Sequence, residues 1–124
     1  MEVKHKILIV DDEPDLLELL KTNLLNNGFD VVTAANGLEG LDQAKSEQPD
    51  LILLDIKMPK MDGYTMLREL KKYGNTRSIP VIMLTVYDKM KDIFELEGVK
   101  GYIIKSASDE EIIKKIRSVL EKEG

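Results

Sequence analysis

The chain has 124 residues, 43% of them hydrophobic, with 18 Lys and Arg against 23 Asp and Glu, a net charge of −5 and no cysteine. That length fits one domain with a core of its own, and the missing cysteines exclude disulfides and thiolate metal sites. The acidic balance argues against nucleic-acid binding by this chain alone, because phosphate contacts need clustered Lys and Arg. The only basic doublets, Lys71-Lys72 and Lys114-Lys115, are expected late in helices, where cations favour the negative end of the dipole. No apolar run approaches a membrane span. The N-terminus leads directly into a strand without a signal-peptide core. A soluble, cytoplasmic single domain over residues 1–124 is therefore expected.

Apolar runs alternate with helical patterns along the whole chain. Such alternation predicts a parallel sheet covered by helices on both faces. Strands are expected at Lys6–Val10, Asp30–Ala34, Leu51–Leu54, Val81–Leu84 and Gly101–Ile104. All but the second are nearly all apolar, as central parallel strands buried on both faces should be. The mixed Val31-Val-Thr-Ala34 suits a sheet edge. Pro14 suits the first turn of helix one and Gly28 the position after its end; Leu16, Leu17, Leu20 and Leu24 form its inner stripe. Helix two is expected over Gly37 to Glu47. Helix three follows Gly63 and is expected to end near Gly74. A fourth helix must fit between Tyr87 and Gly98, where Met90, Ile93, Phe94 and Glu97 follow helical spacing. That segment allows only about three turns at 3.6 residues each. The fifth opens with the capping-box pattern Ser108-Asp-Glu-Glu111, and Ile112, Ile113, Ile116, Val119 and Leu120 make its apolar face. Right-handed crossovers then give a three-layer, doubly wound, flavodoxin-like (βα)5 fold, with strand order 2-1-3-4-5.

Four of the five strands end in residues suited to phosphoryl chemistry. Ile7–Val10 runs into Asp11-Asp12, Leu51–Leu54 into Asp55, Val81–Leu84 into Thr85, and Tyr102–Ile104 into Lys105. Parallel strands deliver their C-terminal ends to one edge, where open α/β sheets bind ligands. Two like charges about 4 Å apart repel by roughly 4 kcal/mol at an effective dielectric near 20, so clustered acids call for a cation, a proton or a compensating function. Mg²⁺ suits one or two carboxylates plus waters and phosphate oxygens. Asp55 could act as a nucleophile toward a phosphoryl donor, Thr85 could hydrogen-bond a phosphoryl oxygen, and Lys105 could form a charge-assisted bond to that group or to Asp55. Met58-Pro59 and Asp62-Gly63 build a rigid return into helix three. His5, the only histidine, precedes the first strand and lies away from this edge.

With Ile7-Leu-Ile-Val-Asp-Asp-Glu13 and Leu51-Ile-Leu-Leu-Asp-Ile-Lys-Met-Pro-Lys-Met-Asp-Gly63, the chain resembles a receiver domain of bacterial two-component response regulators over essentially its whole length. The resemblance implies that Asp55 is the phospho-accepting aspartate. It makes Asp12 a direct Mg²⁺ ligand, with Asp11 helping partly through water and the backbone carbonyl of Lys57 completing the metal site. Thr85 corresponds to the switch hydroxyl, Tyr102 to the aromatic switch, and Lys105 to the lysine that contacts the acyl phosphate. The implied phosphodonor is a sensor histidine kinase or a histidine phosphotransfer protein. The implied output is a downstream effector bound through the face of the fourth helix, fifth strand and fifth helix. Neither nucleic acid nor membrane is an expected direct partner, and no turnover enzyme is expected.

Three positions differ from the family pattern. Ser106 follows Lys105 where proline is usual, often after a cis bond. A non-proline cis bond costs roughly 2.5–4 kcal/mol, so a trans bond is predicted, which puts the reach of Lys105 in question. Val86 follows Thr85 where a very small residue is usual, which predicts crowding of the phosphoryl site. The stretch from Thr85 to Lys105 is shorter than usual, at the expense of the fourth helix and the loop that leads into it. Together these suggest intact metal and acceptor residues with a modified output. An alternative is a degenerate receiver-like interaction domain that works without phosphorylation. A haloacid-dehalogenase-type phosphohydrolase is disfavoured, since it needs a second acid two residues after the nucleophile, and Lys57 stands there.

Overall fold

The computed structural model describes residues 4–86 and 99–123. Five parallel strands, β1 (Lys6–Val10), β2 (Asp30–Ala34), β3 (Leu51–Asp55), β4 (Val81–Thr85) and β5 (Gly101–Ile104), form one sheet in the order β2-β1-β3-β4-β5. The helices of the described residues are α1 (Pro14–Asn26), α2 (Gly37–Glu47), α3 (Gly63–Leu70) and α4 (Asp109–Glu123), the last in the chain. The helix expected between Tyr87 and Gly98 lies outside the described residues.

Alternation along the strands divides the core into two layers. Ile7, Ile9, Leu51, Leu53, Ile82, Leu84 and Ile103 face α1 and α4, and meet Leu20, Leu24, Ile112, Ile113 and Ile116 there. Leu8, Val10, Ile52, Leu54, Val81 and Met83 face the other way, toward Leu41 and Ala44 of α2 and Met66, Leu67 and Leu70 of α3. The strands β1, β3 and β4 are buried on both sides, which is why their sequences carry no polar alternation. Edge strand β2 is only half-buried over Val31–Thr33.

The helix ends follow from local chemistry. Asn36 caps α2: its side chain accepts from the Glu39 N–H at 3.0 Å, while the Glu39 carboxylate accepts from the Ala35 N–H at 3.1 Å. Ser108 and Glu111 form the reciprocal box at the start of α4, at 3.2 and 3.3 Å. Gly28 takes φ +88° after α1, a conformation that favours glycine. Helix α3 is shorter than expected. It ends at Leu70 rather than near Gly74, because Thr76 folds back and its hydroxyl donates to the Leu70 carbonyl at 2.6 Å. Lys71-Lys72 therefore sit at and just beyond a helix end, and Lys114-Lys115 lie in the middle of α4 rather than late in it.

Candidate functional site

Parallel register decides which strand ends become neighbours. Val10 pairs with Leu54, Asp55 with Leu84, and Thr85 with Ile104. One residue further along β1 puts Asp11 beside Asp55, and one further along β5 puts Lys105 beyond Thr85. The Lys105 N–H donates to the Thr85 carbonyl at 2.7 Å, so the ladder runs on to the site itself.

The carboxylates of Asp11, Asp12 and Asp55 each offer an oxygen, and these oxygens lie within 4.8 Å of one another. Asp11 is fully buried and Asp55 is 5% exposed, whereas Asp12 is exposed. The Lys105 ammonium stands 3.1 Å from Asp55 Oδ1, 3.1 Å from Asp11 Oδ2 and 3.1 Å from Glu13 Oε1. Asp55 Oδ1 also accepts from the Ile56 N–H at 2.8 Å, and Asp11 Oδ1 from the Glu13 N–H at 2.9 Å. All peptide bonds among the described residues are trans, including the one before Ser106. With that bond trans, Lys105 stands 3.1 Å from Asp55.

The charges are not balanced. Burial, followed by the neighbouring Asp11, pushes the Asp55 carboxyl up to about 6, although Lys105 and the Ile56 N–H pull the other way. Burial also raises Asp11, against the Glu13 N–H and Lys105. For Lys105, burial acts to lower the ammonium, but the neighbouring carboxylates of Asp11 and Asp55 outweigh it and the net shift is upward. One ammonium thus serves three carboxylates. Asp11 Oδ2, although 3.1 Å from it, is buried without an aligned hydrogen bond. An all-oxygen, acidic donor set with one orphaned buried oxygen fits a hard divalent cation such as Mg²⁺.

The loop after β3 shapes the site. Gly63 opens α3 with its N–H on the Ile56 carbonyl at 2.7 Å, and a β-carbon there would collide with the Asp55 carbonyl oxygen. Asp62 caps α3 by accepting from the Thr65 N–H at 2.8 Å, and this bond holds its carboxyl below the usual range. Asp12, Glu13, Asp55, Lys57, Thr85, Val86 and Lys105 all line one cavity of about 400 Å³. Lys57 and Val86 are exposed there, Val86 at 61%, so its side chain stands at the rim. No acid occupies the position two residues after Asp55, as the phosphohydrolase reading would require.

Thr85 is buried at the end of β4. Met83 pairs with Tyr102 and Thr85 with Ile104, so alternation puts Thr85 and Tyr102 on the same face of the sheet. Tyr102 is half-buried and packs on the layer that contains Met83. His5 is exposed, before β1. One participant was missed by sequence reasoning. Glu13 carries no role in the sequence reading, yet its carboxylate accepts from Lys105 at 3.1 Å. Its place directly after the acidic pair was the available signal.

The family model "Response regulator receiver domain" matches residues 7–117. A "Probable transcriptional regulator ycf27" of Porphyridium aerugineum is 44% identical over 119 residues, covering 94% of this chain and 48% of that relative. The chain thus spans about half the length of the curated relatives it matches. Among solved structures, a "response regulator receiver domain protein (CheY-like)" from Methanospirillum hungatei superposes with a TM-score of 0.87 at 32% identity, covering 98% of this chain and 97% of that one. The "CheX-CheY-BeF3-Mg+2 complex" from Borrelia burgdorferi gives 0.85 at 29% identity, covering 93% and 88%. The expectation that nucleic acid is no partner gains no support from these relatives. Some are named transcriptional regulators, and the charge argument covers only the 124 residues at hand. No helix among the described residues is long and apolar enough to cross a membrane. On the matched residues, the strand order and the site's composition, the chain belongs to the response regulator receiver domain family.

Proposed function

We propose that this receiver accepts a phosphoryl group on Asp55 from a histidine kinase or histidine phosphotransfer protein, in a Mg²⁺-dependent relay within the cytoplasm. The observation that carries the reading is the group of Asp11, Asp12 and Asp55, with ligand oxygens within 4.8 Å and the Lys105 ammonium 3.1 Å from Asp55. An oxygen of Asp55 attacks the phosphorus of a phosphohistidine. The new O–P bond forms as the N–P bond breaks, and the electron pair returns to the imidazole nitrogen of the donor. The strand-end ladder and the Ile56 N–H fix the attacking carboxylate in place, and fixed geometry is a large part of phosphoryl-transfer catalysis. Lys105 is placed to meet a phosphoryl oxygen with a charge-assisted bond. Asp11, Asp12, Asp55 and the carbonyl of Lys57 would hold the Mg²⁺, which when bound neutralises charge on the transferring group.

The product adds charge and acceptors at the edge where Thr85 ends its strand, on the face that Thr85 shares with Tyr102. Movement of Thr85 toward those oxygens would open space on the face that carries Tyr102, and so alter the surface offered to an effector. In this reading the chain is a signalling domain that catalyses only its own phosphorylation and dephosphorylation. Incubation with Mg²⁺ and acetyl phosphate tests it. The wild type should gain the mass of one phosphoryl group, and Asp55→Asn should not. If the wild type stays unmodified under conditions that saturate it with Mg²⁺, the degenerate interaction domain becomes the better account.

A further inference from the structure

We propose that Glu13 is a positioning residue for Lys105: it holds the ammonium at the mouth of the cavity, in competition with an incoming phosphoryl oxygen, and so sets how readily Asp55 is modified. Lys105 Nζ has three N–H donors and three carboxylate oxygens at 3.1 Å. The bond to Glu13 has hydrogen-bond geometry, while buried Asp11 Oδ2 is left without an aligned donor. The ammonium is therefore shared among three acids, and the exposed Glu13 holds it through an aligned bond that buried Asp11 Oδ2 lacks. Glu13 is free for this work. It occupies the N-cap of α1, but its side chain makes no capping bond. It is not among the three acids whose oxygens cluster closely enough to share a cation. Its backbone N–H is fixed by Asp11 Oδ1 at 2.9 Å, so the tether springs from a rigid point.

The role rests on the proposed phosphorylation of Asp55, and the test separates the two. Glu13→Gln removes the charge. Glu13→Asp keeps the charge but is one methylene too short to make the same bond from the same backbone. Each is made in the wild type and in Lys105→Met. The first readout needs no phosphorylation. In Mg²⁺-free protein, the effects of Glu13→Asp and Lys105→Met on unfolding should be non-additive; additive effects would show that the two side chains are uncoupled and would overturn the proposal. The second readout is the rate of phosphoryl gain from acetyl phosphate with saturating Mg²⁺. Both Glu13 variants should accelerate it by about two- to fivefold, the size expected from an exposed ion pair, and neither should do so in Lys105→Met. Acceleration by Glu13→Gln alone would mean simple repulsion of an anionic donor and would overturn the tether. Unchanged or slower rates would do the same. A wild type that gains no phosphoryl group sinks the functional reading, even if the coupling in unfolding stands.

Discussion

A β-carbon on Gly63 would collide with the carbonyl oxygen of Asp55 and stand 3.0 Å from the Cα of Ile56. The first residue of α3 thus leans directly on the peptide that carries the proposed acceptor. Gly63→Ala must push the helix and the strand end apart. Overpacking of this kind costs about 1–3 kcal/mol, so chemical denaturation should show a loss in that range. The same shift moves the Asp55 carboxylate, and Mg²⁺ affinity should fall with it. Gly74→Ala is the control, since nothing lies within 4 Å of a β-carbon there.

The raised Asp55 carboxyl makes a pH prediction for the Mg²⁺-free protein. Its folded value of about 6 lies above the ordinary 3.8. The folded state therefore binds this proton more tightly than the unfolded state. Its contribution to stability is complete below about pH 4 and is lost as pH rises through about 6. The shift corresponds to at most about 3 kcal/mol at neutral pH. Asp55→Asn removes the titration while leaving Lys105 two other carboxylates. The variant should be more stable than the wild type at pH 7 without Mg²⁺, and the gap should close by pH 4. Equal stability at both pH values would show that Asp55 is not destabilised by its burial.

Much of this was legible in the sequence because burial on both faces writes an unmistakable signal. Four apolar runs ending in Asp, Asp, Thr and Lys determine both the strands and the residues at one edge, and the mixed Val31–Ala34 marks the edge strand. What stayed hidden depends on bonds between distant residues or on small offsets along a helix. The Thr76 hydroxyl folds back onto a carbonyl six residues earlier, a bond that the helix-compatible Lys71-Lys-Tyr73 does not foretell. Glu13 meets Lys105 across 92 positions of sequence, and no periodicity encodes such a pair. With Ser106 in place of the family's usual proline and a trans bond before it, Lys105 still stands 3.1 Å from Asp55.

Lys60 adopts φ +69° in the return loop after Asp55, a left-handed conformation that favours glycine. The loop tightens further where the Met61 N–H bonds the Pro59 carbonyl at 2.7 Å. The Lys60 side chain is exposed, so little packing is lost by removing it. Lys60→Gly should relieve the backbone and raise stability by about 1 kcal/mol, net of the greater freedom glycine gives the unfolded chain. A thermal shift downward would indicate that the lysine side chain contributes more than its conformation costs.

Asp12 differs from its two acidic neighbours in being exposed, and that separates binding from stability. A metal that binds only the folded protein raises stability in proportion to the logarithm of its concentration over the dissociation constant. Asp12→Asn removes one anionic group from the acidic cluster at an exposed position. Without metal, removing this like charge from the acidic cluster should leave the protein at least as stable as the wild type. With Mg²⁺, the wild type should melt at progressively higher temperature as the ion is added, while Asp12→Asn should need far more Mg²⁺ for the same rise. Sodium chloride at matched ionic strength separates site binding from screening, because screening acts on both proteins alike. A variant that keeps the full Mg²⁺-dependent shift would remove Asp12 from the metal site and leave the buried Asp11 and Asp55 to hold the ion.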